Sequence, residues 1–119
     1  MTLPDGMTVI AIASPGGPEV LTAGQQNLPD LGPNDVLIRV AAAGVNGPDS
    51  AQRRGHYDPP PGASPLPGLE VAGEIAAIGT EVASWQLGDR VMALTNGGGY
   101  AEYVAVPAGQ CCRYPPIGL

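Results

Sequence analysis

A chain of 119 residues, 44% of them hydrophobic, has enough apolar material for one buried core but not for two independent ones, so a single domain over residues 1–119 is the expectation. Eleven acidic residues stand against five basic ones, all arginine, giving a net charge of −6 with only 13% of positions charged. That balance excludes a nucleic-acid backbone and an anionic membrane surface as partners, because both require a basic patch.

Eighteen glycines and fourteen prolines would suit a low-complexity chain, but several alternating apolar runs argue against disorder and for a loop-rich β domain. Residues Met7 to Ala13 read as a strand, stopped by the turn cluster Ser14-Pro15-Gly16-Gly17-Pro18, and Glu19 to Gln25 can return as a second strand. The clearest period of two follows, with Val36, Ile38 and Val40 on one face and Leu37, Arg39 and Ala41 on the other, which predicts a half-buried strand. Asn46 then precedes Gly47, Pro48 and Asp49. A capping side chain followed by an early proline predicts one or two helical turns, ending at Gly55.

Residues His56 to Pro67 hold five prolines and must form an ordered loop or a flexible lid. Leu69 to Ile78 is an apolar strand with Glu70 and Glu74 embedded, where Gly73 marks a bend or a close backbone approach. Further strands are predicted at Val91 to Leu94 and at Tyr100 to Val106, separated by Asn96-Gly97-Gly98-Gly99, with Gln110 to Tyr114 closing the sheet. Five to seven short strands and one short helix predict a mainly β fold, an antiparallel Greek-key barrel.

Residues Met1 to Gly6 show no basic segment followed by an apolar stretch, and nowhere do 18 apolar residues run together; a soluble cytoplasmic protein is expected. Cys111 and Cys112 are adjacent, a spacing that suits neither a relaxed disulfide nor a metal site, so both are read as small buried or half-buried hydrophobes. The triple glycine at 97–99 leads into a strand and lacks a Gly-Lys-Ser/Thr ending; it is a turn, not a phosphate loop.

Pro15-Gly16-Gly17-Pro18-Glu19-Val20-Leu21, Gly44-Val45-Asn46 with Asp49, the loop Tyr57-Asp58-Pro59-Pro60-Pro61-Gly62-Ala63-Ser64, Gly68-Leu69-Glu70-Val71-Ala72-Gly73, Gly88-Asp89-Arg90-Val91 and Gly97-Gly98-Gly99-Tyr100-Ala101-Glu102-Tyr103 occur in this order. With them the chain from Met7 to Leu119 resembles the N-terminal, GroES-like half of medium-chain dehydrogenases/reductases. The Tyr-Asp-Pro-Pro-Pro-Gly-Ala-Ser loop points to the zinc-independent quinone oxidoreductase branch. The resemblance implies a partly open GroES-like Greek-key barrel and hydride transfer from NADPH or NADH to a quinone-like acceptor.

In the family's zinc enzymes the positions of Asn46 and Leu69 carry Cys and His ligands. Asn is a poor Zn²⁺ ligand and Leu none, so no metal site is expected here; His56 has no second His or Cys near it in the sequence. By the same resemblance Asn46 and Tyr57 are the catalytic residues, donating hydrogen bonds to the acceptor, and Val45 and Asn46 touch the cofactor. For Asn46 a helix cap is the competing role, and for Tyr57 a loop anchor. Asp49 is assigned to local structure, and Glu70 to a pairing with an arginine or with backbone amides. Gly47 stands where relatives often carry Arg, and Ser50-Ala51 replaces a more apolar pair, which bears on acceptor preference.

No dinucleotide fingerprint occurs in the 119 residues, so the cofactor is expected to be held mainly by a Rossmann domain outside this chain, with Leu119 at a domain boundary and the chain inactive alone. An enoyl or alkenal reductase domain and a stand-alone non-catalytic barrel are the alternatives. A homo-oligomer is a further expectation if an orphaned interdomain face drives association.

Overall fold

The computed structural model describes residues 2–113. Strands β1 (Gly6–Ile12) and β2 (Leu21–Asn27) form an antiparallel hairpin, and the other five strands form a second sheet in the order β6-β3-β4-β5-β7. These are β3 (Asp35–Ala43), β4 (Glu70–Ile78), β5 (Arg90–Leu94), β6 (Tyr103–Pro107) and β7 (Cys111–Arg113), all paired antiparallel. One helix, α1 (Gly47–Arg53), sits between β3 and β4. The fold is the mainly β, GroES-like architecture expected, with two open sheets instead of a closed barrel.

Three local departures have simple causes. Pro18–Val20 forms a single 3-10 turn, so the second strand starts at Leu21 and not at Glu19; proline at the start of that turn sets its φ. The run from Tyr100 divides between the two sheets. Its first residues bond to β1, with Ile10 N–H donating to the Tyr100 carbonyl (2.8 Å) and Glu102 N–H to the Thr8 carbonyl (3.1 Å), and from the Glu102 carbonyl, which accepts from Val40 N–H (2.8 Å), it pairs with β3. This crossing stitches the hairpin to the main sheet. Leu37 is buried at 3% exposure although it alternates with Val36 and Ile38. The expected solvent-facing side of β3 is therefore covered at this end, where the ladder to β4 also shifts register between Leu37 and Ile38. Residues 111–113 close the sheet; Tyr114 lies outside the described residues.

The main core gathers alternate residues of four strands, Val36 and Ile38, Val71 and Ile75, Val91 and Ala93, Val104 and Val106, around Trp85. A smaller cluster of Met7, Val9 and Leu66 fixes the hairpin. Gly73 is where β4 passes closest to β3: a Cβ there would collide with the Arg39 carbonyl oxygen, and the register slips between Val40 and Ala42. The bend read from this glycine is a close backbone approach beside a bulge.

Candidate functional site

The site is built from the junction where β3 hands over to α1. Asn46 is extended (φ −131°, ψ 165°) and caps α1, with Pro48 in the first turn. Its N–H donates to Asp49 Oδ2 (3.0 Å), while the Asp49 N–H donates to the Asn46 carbonyl (3.1 Å). Asp49 is 4% exposed, and a buried carboxylate needs donors. It finds two more in the Gly68 N–H (3.0 Å, to Oδ1) and the Tyr100 hydroxyl (3.1 Å, to Oδ2). The assigned structural role of Asp49 thus extends beyond its own helix: it ties the Asn46 cap to the loop before β4 and to the crossing segment before β6. Burial, and then the hydrogen bond and negative charge of Asp49, push the Tyr100 phenol up to about 12.

With its backbone held from below, Asn46 has its side chain on the exposed surface. Its Nδ2 donates to Glu70 Oε1 at 3.2 Å. Glu70 therefore pairs with this amide, which corrects the expected pairing with an arginine or with backbone amides. Gly44 makes the pairing possible, because a Cβ at that position would overlap the Glu70 side chain. Gly44 and Glu70 in turn form the rim of a cavity of about 460 Å³ that continues over Ala72, Met92, Leu94 and Cys112. Val45 beside it is 82% exposed and Leu94 65%, so the open side of the sheet next to the Asn46 amide is apolar.

Tyr57 is half-buried and lies beyond the opposite end of α1, past Gly55 (φ +83°). It lines neither this cavity nor a second one of about 420 Å³ under Pro60 to Ser64, bounded by Met7, Gln26 and Tyr103. The structure thus joins Asn46 to Glu70, while Asn46, Val45 and Tyr57 all lie outside the lining of the two cavities. His56 is exposed, and among the described residues no group of three or more His, Cys, Asp and Glu is assembled.

Cys112 is exposed and faces the first cavity, whereas Cys111 turns to the core. The expectation that both are buried or half-buried is thereby corrected for Cys112: adjacent residues of a strand face opposite sides. Burial, with Cys112 as its charged neighbour, pushes the Cys111 thiol up to about 11. Sequence reasoning missed the cavity residues Met92 and Leu94 and the Tyr100–Asp49 bond. The first had a visible signal. Arg90-Val91-Met92-Ala93-Leu94 alternates, but both of its faces are apolar, the mark of a strand whose outer face meets something other than water.

The family model for the alcohol dehydrogenase GroES-like domain matches residues 32–116. The chain belongs to that family. The synaptic vesicle membrane protein VAT-1 homolog-like of Mus musculus is 36% identical over 109 residues, covering 92% of this chain and 26% of the relative. A quinone oxidoreductase of Sus scrofa is 42% identical over 99 residues, covering 82% of this chain and 30% of the relative. Among solved structures, the human VAT-1 homolog-like protein matches with a TM-score of 0.86 at 34% identity, over 94% of this chain and 36% of that one. A mycobacterial protein complexed with NADPH matches with a TM-score of 0.78 at 34% identity, over 93% of this chain and 33% of that one. These relatives tie this GroES-like domain to an oxidoreductase family, and the chain spans between about a fifth and a third of the length of the curated relatives it matches. Among the described residues no helix is long and apolar enough to cross a membrane.

Proposed function

We propose that this chain is the acceptor-side domain of an NAD(P)H-dependent quinone oxidoreductase that works without zinc. The observation that carries the reading is the exposed Asn46 amide, bonded to Glu70, which lines an apolar cavity. A quinone is a flat apolar ring with two oxygens, and as it accepts hydride one oxygen gains negative charge. A fixed N–H donor beside an apolar wall serves both needs, because the donor is already oriented when the charge develops.

The residues present fit the ring end of a nicotinamide cofactor and not its phosphates. Exposed Val45 offers an apolar surface next to Asn46. The N-terminal end of α1, the ordinary place for a phosphate, is taken by the Asp49 carboxylate. The phosphates and the choice between NADPH and NADH therefore belong to a nucleotide-binding domain outside residues 1–119. A reduced nicotinamide, when bound, supplies the hydride, and solvent supplies the proton that completes the hydroquinone. This chain's share is to hold Asn46 by both its backbone and its side chain, and to exclude water from one side of the ring with Val45, Met92 and Leu94. The Asn and Leu at positions 46 and 69 favour this zinc-free route, since neither supplies a good Zn²⁺ ligand. Tyr57 enters as a second donor only if its loop carries it toward Asn46. The reading includes a cytoplasmic protein, and association of copies through the same apolar face where no second domain covers it.

The test uses the polypeptide that joins this chain to a nucleotide-binding domain. NADPH oxidation is followed with 1,4-quinones, enones and aldehydes, before and after exhaustive chelation. Fast turnover of quinones, unchanged by the chelator, is expected. Loss of activity on chelation, or turnover of enones alone, would overturn the reading.

A further inference from the structure

We infer that Glu70 is a positioning residue that selects the orientation of the Asn46 side-chain amide; the inference rests on the reading of Asn46 as the acceptor's hydrogen-bond donor. A carboxamide can present either end to a neighbour, because its oxygen and nitrogen halves have nearly the same shape. The capping box of α1 turns the Asn46 side chain to the Asp49 N–H, which suits its oxygen half, and its other half meets a group with one possible behaviour. An ionised carboxylate only accepts, so Glu70 can receive Nδ2 and can give nothing to Oδ1. The observed contact is of that kind, Nδ2 to Oε1 at 3.2 Å.

Two features show that this pairing is built into the fold. Gly44 leaves open the space that the Glu70 side chain occupies, where any Cβ would overlap it, and the Gly44 N–H also donates to the Glu70 backbone carbonyl (3.1 Å). The end of β3 and the start of β4 are thus fastened at the point where the side chain turns toward Asn46. On the other side, Asp49 fixes the Asn46 N–H, so backbone and side chain of one residue are held by two different carboxylates. The nitrogen half then spends one N–H on Glu70, which lines the cavity, and keeps the second to offer an acceptor oxygen.

Glu70 is met by Gly44 just past the end of β3, Leu94 from β5 and Asn46 from the cap of α1. Asp49 lies behind the Asn46 backbone, and Cys112 lines the same cavity. The arginines Arg39 and Arg90 pair in register with Glu74, four residues along β4, and Arg53 donates to the Gly16 carbonyl.

The test compares the wild-type chain with Glu70→Gln, which keeps shape but can donate or accept, and with Glu70→Ala. Both changes are at an exposed side chain, and melting temperature checks folding. The side-chain amide signals of Asn46 are followed by ¹H–¹⁵N NMR. In the wild type one Nδ2 proton should be set apart by its bond to Glu70, and in Glu70→Ala that signature should vanish. In the polypeptide with its nucleotide-binding domain, Glu70→Gln should lower kcat for a 1,4-quinone about fivefold, the rate equivalent of one ordinary hydrogen bond, with KM unchanged. Asn46 signals indifferent to both variants would overturn the inference, as would responsive signals with an unaltered kcat. Failure of the acceptor reading is separable, because it appears as quinone turnover indifferent to Asn46→Ala.

Discussion

Asp49 serves three donors with two oxygens, and the Tyr100 hydroxyl is the most distant of them in sequence. Replacing Tyr100 by Phe leaves the buried carboxylate one partner short and is expected to cost about 1–3 kcal/mol. The pH dependence is specific. The phenol ionises at 10.0 when unperturbed and at about 12 here, so the folded state keeps its proton over a range where the unfolded chain has lost it. The contribution is whole below pH 10 and disappears as the pH rises toward 12. Urea titrations at pH 9 and above should show wild-type stability falling over that window and a flatter profile for Tyr100→Phe; parallel profiles would refute the assignment. The two cysteines give a second contrast. Cys112 is exposed and should alkylate readily at pH 8, whereas Cys111, with its thiol near 11 against an ordinary 9.0, carries about a hundredfold less thiolate than an unshifted thiol. Mass-spectrometric mapping after brief iodoacetamide treatment should find Cys112 labelled first, and preferential labelling of Cys111 would contradict the burial described.

At the scale of elements, Gly73 tests the fastening of β3 to β4. Gly73→Ala places a methyl group against the Arg39 carbonyl, which backbone on both sides must move to relieve; a loss of more than about 2 kcal/mol is expected. Gly24→Ala, in the exposed hairpin strand where nothing approaches the new methyl, is the control and should be near neutral. Equal melting temperatures for the two variants would deny the close approach. Gly73 was legible because an interruption inside a strongly apolar run has few causes. The strands around it were legible for a similar reason: alternation in 36–40 and 90–94 is a local property of the chain. What could not be read was the partner of each polar group. Glu70 meets an amide 24 residues earlier and Asp49 a phenol 51 residues later, and no local pattern encodes such pairings. The split of residues 100–106 between two sheets escaped for the same reason, since apolar alternation states that a strand exists and not which neighbour it chooses. Leu37 shows the limit from the other side, its alternation correct and its second face covered by the tertiary fold.

For the whole molecule, the polar and apolar parts of the surface are sorted about one place. The Asn46–Glu70 pair marks the edge of a sheet face on which Met92 and Leu94 are exposed, with exposed Val45 next to Asn46 in the chain, an apolar surface of the kind that something else covers. A flat acceptor ring and a second domain satisfy that condition together in the proposed reading. Every part of the proposal passes through one donor, and the decisive measurement is quinone reduction by Asn46→Ala in the polypeptide that carries the nucleotide-binding domain. The account predicts a loss in kcat/KM on the order of a hundredfold, with stability lowered only by the loss of one helix cap, about 1 kcal/mol, since the Asn46 backbone retains its bonds to Asp49. An unaltered kcat/KM in a fully folded variant would contradict it.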